Sequence, residues 1–119
     1  MQVPLQLTFR SMTPSDALAM HVRLRTEKLE HICDSIVSCH VVVQLAGHHH
    51  RHGDRFHVSI NLNLPGHELL VGHAPAEDSA ETAEAATDQA FDDAARQLED
   101  WMKRRRGERH DEGRTRQDH

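Results

Sequence analysis

Aromatic side chains are scarce in this chain of 119 residues, which has one tryptophan, three phenylalanines and no tyrosine. Proteins that bind single-stranded nucleic acid by stacking bases need several exposed aromatic rings. Base stacking is therefore excluded as the main mode of binding. A nucleic-acid partner would have to be recognised through its phosphates and its shape.

Cysteine is also scarce, since Cys33 and Cys39 are the only two. Their spacing is not the C-x-x-C of redox or zinc motifs, and a reducing cytosol disfavours a disulfide. We interpret them as two small, partly buried residues. No apolar run approaches the roughly 18 residues that cross a bilayer, and the first residues lack the features of a secretion signal. We therefore expect a cytoplasmic protein with no membrane partner.

Catalytic motifs are missing as well. The sequence has no G-x-S-x-G, no H-E-x-x-H and no glycine-rich phosphate loop. We expect a binding protein rather than an enzyme, with no cofactor and no small-molecule substrate.

Hydrophobic periodicity is what the sequence does contain, and it predicts the order βαβββα. Apolar residues alternate with polar ones in four segments, which predicts strands at about 3–9, 36–45, 56–64 and 67–73. One predicted helix runs from about Pro14 to about Cys33 with Thr13 as its N-cap, and a second runs from about Ser79 to about Arg106. The predicted fold class is α+β, a four-stranded sheet with two helices packed on one face.

Gly107 is the predicted end of the second helix. We expect one domain over residues 1–106 and a disordered charged tail over residues 107–119, because no apolar residue follows Gly107.

The second face of the predicted sheet is open and polar. Its expected members are Gln6, Thr8, Ser38, His40, Gln44, His57, Ser59, Asn61 and Asn63. This face has many hydrogen-bonding groups and almost no acids, so it suits a polyanion better than an apolar ligand.

Histidine is concentrated in a predicted loop over residues 46–55, which holds His48, His49, His50 and His52. Imidazole binds zinc, copper or nickel, so these residues are weak candidates for metal capture. A pH-sensitive cationic patch and an ordinary solvated loop are the alternatives. No metal site is assigned, because the loop lacks an ordered ligand spacing.

Charge is segregated near the end of the chain. Residues 76–100 hold nine acidic residues against Arg96, whereas residues 101–119 hold seven basic residues against four acidic ones. The run Lys103 to Arg106 could grip phosphates, and its alternative role is to complement the dipole of the helix end. Arg23, Arg25 and Lys28 form a smaller cluster on the first predicted helix, whose alternative role is that of an ordinary solvated helix face.

Several short strings occur in the order found in one known family. They are Thr13 to Leu18, Lys28 to Glu30, Ile36 to Val43, Phe56 to Val58 and Ala95 to Leu98. Over residues 2 to 106 the sequence resembles the short ribosome hibernation factors, also called sigma-54 modulation proteins.

The resemblance implies a translation inhibitor with the βαβββα fold. Members of this family bind the small ribosomal subunit and its rRNA, and they occlude the channel for messenger and transfer RNA during stress or stationary phase. By this resemblance the RNA-binding candidates are Arg25, Lys28, Arg96, Lys103, Arg104, Arg105 and Arg106. The predicted histidine and arginine loop adds Arg51 and Arg55 as candidates.

The chain departs from the family pattern in its last helix. Glu84 and Thr87 stand where an aromatic and an aliphatic residue are usual, and Asp93 stands where a basic residue is common. Two alternative functions also stay open. One is a protein-interaction module for a basic partner that has lost rRNA binding, and the other is a metal-binding protein built on the histidine loop.

Overall fold

The architecture is a four-stranded sheet with two helices on one side. The computed structural model describes residues 3–49, 53–75 and 81–112. The elements in chain order are β1 (Leu5–Arg10), α1 (Asp16–Ile32), β2 (Ser38–His49), β3 (Gly53–Leu64), β4 (His67–His73) and α2 (Ala83–Glu112). The predicted α+β class and the predicted order of elements are confirmed.

The strands lie in the sheet in the order in which they occur in the chain. β1 is parallel to β2, and α1 forms the crossover between them. β2, β3 and β4 are antiparallel neighbours, so the predicted meander is confirmed. In the middle of the sheet, Val41 lies opposite Leu7 on one side and Ile60 on the other.

The core lies between the sheet and the helices. α1 buries Leu18, Val22 and Leu29, while α2 buries Phe91 and Leu98 against β3 and β4. Each fully buried side chain of this size contributes roughly 1.5–3 kcal/mol. The apolar face of each element was predictable because strands alternate with a period of two and helices with 3.6.

α1 begins two residues later than the sequence pattern indicated. Its N-cap is Ser15, whose Oγ accepts a hydrogen bond from the backbone N–H of Leu18 at 3.1 Å. Thr13 therefore does not cap the helix. Serine and threonine are both favoured at the N-cap, so the presence of a capping side chain alone did not distinguish the two positions. The helix ends at Ile32, and the N–H of the C-cap residue, Cys33, donates to the carbonyl of Leu29.

α2 begins after Thr82, whose Oγ1 accepts from the backbone N–H of Ala85 at 3.0 Å. It continues through Gly107 to Glu112, so the predicted end at Gly107 is wrong. A glycine inside a helix costs about 1 kcal/mol but, unlike proline, removes no hydrogen bond. Residues 113–119 lie outside the described residues, and a disordered tail stays a prediction.

The β2–β3 hairpin is longer than expected. Its ladder continues past a bulge between Leu45 and Gly47, with His48 opposite Asp54 and His49 opposite Gly53. The predicted loop over residues 46–55 is therefore wrong in extent, because backbone pairing does not require apolar side chains. At its other end β2 begins at Ser38, and Val37, predicted to face inward, is 56% exposed.

Candidate nucleic-acid interface

The last turns of α2 carry a cluster of cations that we call the basic end, Lys103 to Arg106. It follows Trp101, which is buried. Lys103, Arg104 and Arg106 are exposed, and none of the four cations forms an ion pair with any residue that the structure describes. Their charge is therefore available to a partner.

Trp101 fixes the position of the basic end. Its ring is stacked on that of His67, with centroids 6.0 Å apart and an interplanar angle of 7°. The guanidinium of Arg105 lies 4.8 Å from the centre of the same indole ring. His67 begins β4 directly after the Pro65–Gly66 turn, in which Gly66 has a φ of +69°. The stack therefore fastens the end of α2 to the edge of the sheet.

Sequence reasoning missed this role of Trp101. The signal was its helical spacing, since it lies three residues after Leu98 and seven after Ala94, both of which are buried.

A shallow groove lies beside the basic end, where α1 ends and the chain turns toward β2. It is lined by Cys33, Asp34, Ser35, Trp101, Met102, Arg105 and Arg106. The two guanidinium groups and the serine hydroxyl are suitable donors for a phosphate oxygen. Asp34 is the one carboxylate in the lining and offsets part of this positive charge.

Arg25, a predicted RNA-binding residue, lies instead in a cluster of charges between the helices. Its Nη1 donates to Asp88 at 2.7 Å and its Nη2 donates to Asp92 at 2.7 Å. His21 Nε2 also lies 2.7 Å from the same Asp88 oxygen. The Arg25 guanidinium packs 5.5 Å from the ring centre of Phe91, and its side chain is 17% exposed. These contacts place Arg25 where it holds α1 against α2.

The titration of this cluster agrees with its geometry. Burial alone lowers the pKa of Arg25, but hydrogen bonds to Asp92 and Asp88 outweigh it, so the pKa is raised overall. Burial alone raises the pKa of Asp88, but hydrogen bonds from His21 and Arg25 bring it below its ordinary value. Both groups are therefore charged at neutral pH and attract one another.

The other predicted cations lie in separate places. Arg96 is exposed and pairs with Asp93 on the preceding turn of α2. Lys28 is exposed on α1. Arg55 donates to the carbonyl of Pro75 at 3.1 Å, and Arg51 lies outside the described residues. The structure thus brings the four cations of the basic end together and does not join them with Arg25 or Arg55.

The acidic part of α2 is compensated in part within the domain. Asp88 and Asp92 pair with Arg25, and Asp93 pairs with Arg96. Just before the helix, Glu81 lies 2.8 Å from His73 of β4. These acids therefore repel a polyanion less than the sequence alone suggests.

The second face of the sheet carries no helix in the described part of the chain. Its polar side chains are linked across the strands: His40 Nε2 lies 3.1 Å from Thr8 Oγ1, and Asn63 Nδ2 donates to Ser38 Oγ at 2.7 Å. Asn61 Nδ2 donates to Glu68 on β4 at 2.7 Å. This face is the polar, open surface that the alternation predicted.

The metal candidates stay untested. Among residues 3–49, 53–75 and 81–112 no three histidine, cysteine or acidic residues are grouped so that they could hold a metal ion. His50 and His52 lie outside the described residues, and His48 and His49 are described as backbone positions of β2. Cys33 and Cys39 are free and buried, and burial raises the pKa of Cys39 to about 11, although a hydrogen bond with Thr26 acts against this.

Comparison with known proteins decides the family. Residues 5–106 match the family described as sigma 54 modulation protein / S30EA ribosomal protein. The chain belongs to this family. The match confirms the resemblance inferred from the order of the sequence strings. In this sigma 54 modulation family member it spans all four strands, α1, and α2 as far as Arg106. Among curated protein sequences, none matches the chain.

Two solved structures share the fold of this family member. The N-terminal domain of Protein Y from Thermus thermophilus is 24% identical with a TM-score of 0.64, and the match covers 85% of this chain and 99% of that one. A ribosomal subunit interface protein from Coxiella burnetii is 17% identical with a TM-score of 0.70, covering 84% and 98%. No helix in the described residues is both long enough and apolar enough to cross a membrane.

Proposed function

We propose that this chain is a ribosome-associated translation inhibitor. It binds the small ribosomal subunit through rRNA, and it occludes the channel for messenger and transfer RNA during stress or stationary phase. It works in the cytoplasm by occupying space rather than by catalysis. Family membership supports association with the ribosome, as does the fold shared with a ribosomal subunit interface protein.

The observation that carries the proposal is the free basic end of α2. Lys103, Arg104 and Arg106 are exposed cations without an acidic partner in the described part of the chain. Cations of this kind bind phosphates by releasing condensed counterions, so the affinity falls steeply as salt rises. RNA is then recognised by backbone and shape, which agrees with the scarcity of aromatic residues.

The acids of α2 do not contradict this proposal, because Asp88, Asp92 and Asp93 already have cationic partners. The same observation leaves fewer acids for the alternative function, a module that binds a basic protein. Glu84, Glu99 and Asp100 are exposed acids of α2 that form no ion pair with another described residue, and they keep that alternative testable.

The test is co-sedimentation with purified small subunits at about 50 and about 200 mM salt, a range over which phosphate-dependent binding weakens strongly. We expect the triple variant K103Q/R104Q/R106Q to lower the salt slope of log affinity by about 3, one unit for each lost phosphate contact. Binding that ignores both salt and the triple substitution would refute the proposal.

A matched pair of variants separates a local effect from one of net charge. Arg104→Glu and Arg23→Glu each change the charge by the same amount at an exposed position, one on α2 and one on α1. We expect only Arg104→Glu to weaken binding clearly. Equal weakening would mean that no particular surface binds, and recovery of a basic protein after nuclease treatment would favour the alternative.

A further inference from the structure

The two edges of the sheet differ in how they are protected. β1 follows Pro4 and ends in Arg10, and prolines and charged side chains on an edge discourage pairing with another chain. β4, the opposite edge, contains no proline, lysine or arginine from His67 to His73. Its register with β3 has no shift, so no bulge turns this edge away. In the described part of the chain, β4 is therefore the less protected edge.

Leu70 lies at the middle of β4, with three strand residues on each side. It is opposite Asn61 on the open face and is 68% exposed, the highest value among the large apolar side chains that the structure describes. Its neighbours Leu69 and Val71 point to the other face and are buried. An edge strand also presents unpaired backbone N–H and C=O groups. A second strand placed here would satisfy these groups and cover Leu70 at the same time.

β4 is self-complementary when it pairs with another β4 in the antiparallel direction. Centred on the middle residue, the pairs are Leu70 with Leu70, Leu69 with Val71, Glu68 with Gly72 and His67 with His73. Apolar residues then oppose apolar residues, and the single acid of the strand, Glu68, faces a glycine. A Cβ at Gly72 would meet no atom within 4 Å, so this position leaves room for the carboxylate.

α2 runs along β4 in the opposite direction. Oε1 of Glu81, just before the helix, lies 2.8 Å from Nε2 of His73 at the end of β4, and Trp101 stacks on His67 at its start. The helix packs over β3 as well as β4. Strands are about 4.8 Å apart, so α2 lies about 5 Å from a two-fold axis on the outer side of β4. Two copies of α2 would then run antiparallel about 10 Å apart, an ordinary distance between packed helices.

The charges at the two ends of α2 are complementary between copies. Because the strands pair end to end, the turn of α2 around Trp101 comes close to Glu81 of the second copy. Arg105 lies over Trp101, and Arg104 beside it is exposed. These two cations outnumber Asp100, the exposed acid one turn earlier. The basic end of each helix thus meets an acid at the start of the other.

We propose that β4 is a docking surface for a second copy of this chain. Antiparallel pairing of the two β4 strands joins the two four-stranded sheets into one, covers Leu70 and places the two α2 helices side by side. The dimer goes beyond the proposed function, and its test needs no ribosome.

The first experiment measures the mass of the full chain by sedimentation equilibrium, up to about 1 mM protein, where even a weak complex is populated. We expect a monomer–dimer equilibrium. Leu70→Lys puts two cations opposite each other at the centre of the contact and should weaken the dimer by about tenfold or more. Met20→Lys makes the same kind of change at an apolar position of α1 that is 57% exposed, and it should leave the dimer unchanged.

The second experiment looks for a gained link rather than a lost contact. In Leu70→Cys the two introduced thiols lie opposite each other on neighbouring strands, within the Cα separation that a disulfide spans. Mild oxidation should link this variant into dimers, whereas Met20→Cys should stay largely unlinked. Both variants retain Cys33 and Cys39, so any contribution of these buried thiols is the same in each.

A weaker dimer in Leu70→Lys alone, together with selective linking of Leu70→Cys, supports the contact through β4. A chain that stays monomeric at the highest concentration overturns the proposal, assigns the edge to no second copy and leaves the proposed function standing. A dimer that survives Leu70→Lys, or equal linking of the two cysteine variants, places the contact elsewhere and overturns it too. If circular dichroism shows that Leu70→Lys fails to fold, the cysteine variants decide.

Discussion

The first half of α2 and its basic end carry opposite charges and are used in opposite ways. In the first half, Asp88 and Asp92 are held by Arg25 of α1, and Phe91 is fully buried beneath them. In the last part, after Trp101, the cations have no acidic partner among the described residues. The comparison shows that acidic side chains on a helix need not repel a polyanion, because a cation within the fold can neutralise them first.

The largest expected effect comes from a core substitution in the first half of α2, which is held against α1. Phe91→Ala should destabilise the domain by about 3–5 kcal/mol, because a fully buried aromatic ring is replaced by a cavity. The measurement is urea unfolding followed by the fluorescence of Trp101. Arg104→Ala, in the basic end, should change the free energy of unfolding by less than about 0.5 kcal/mol. Similar losses for both variants would contradict the division of α2.

The next effect concerns the acids in the first half of α2. Asp88→Asn should cost about 1 kcal/mol at neutral pH, because Arg25 is only 17% exposed and loses one of its two partners, while solvent screens Asp88, which is 42% exposed. Asp100→Asn, at an exposed position, is the control and should be nearly neutral.

The pH dependence of the Asp88→Asn effect follows from the lowered pKa of Asp88. Its carboxylate is charged in the folded state below the ordinary pKa of 3.8. The stabilisation is therefore complete above that value and is lost as pH falls through the lower folded-state pKa. Unfolding of the variant and the unaltered protein should converge in strong acid. A difference that persists unchanged at every pH would show that the charge plays no part.

A smaller effect is expected at Gly107, which directly follows the basic end. Gly107→Ala should stabilise the helix by about 0.5–1 kcal/mol and raise its helix content in circular dichroism, because alanine is the better helix former. A Cβ at this position would meet no atom within 4 Å. Gly66→Ala, where φ is +69°, should instead cost roughly 1–2 kcal/mol. A loss of stability in Gly107→Ala would mean that the helix ends there in solution.

The smallest effect distinguishes the two thiols. Cys39 lies beneath α1, and burial raises its pKa to about 11, so its thiol should stay protonated at pH 8 and react with a disulfide reagent only after unfolding. Cys33 lines the groove beside the basic end and should react first. Rapid labelling of Cys39 in the folded protein would show that α1 opens readily.

The fold was predictable because its signals are local. β4 begins and ends where the sequence placed it, and the inward residues of β3 alternate as predicted. The errors occurred where several local signals were equivalent, as at Thr13 and Ser15. At Gly107 the low helix propensity of glycine did not end α2, which continues to Glu112.

The candidate site was predictable only in part. The basic end could be read as a run of four cations, whereas the role of Arg25 depends on Asp88, which is 63 residues away in the chain. No periodicity reports such a contact. The stack of Trp101 on His67 is equally remote, since its members lie in different elements.

The helical geometry of residues 103–106 has a consequence for recognition. Successive residues of an α-helix are turned by about 100°, so four consecutive cations point in four directions around the axis. Arg105 is turned inward onto Trp101, and the other three are exposed on different sides. Such a ring of charge can touch phosphates on several walls of a narrow passage at once. Such a ring would tolerate rotation of the partner. It would favour a binding site that surrounds the helix with phosphates over any particular nucleotide sequence.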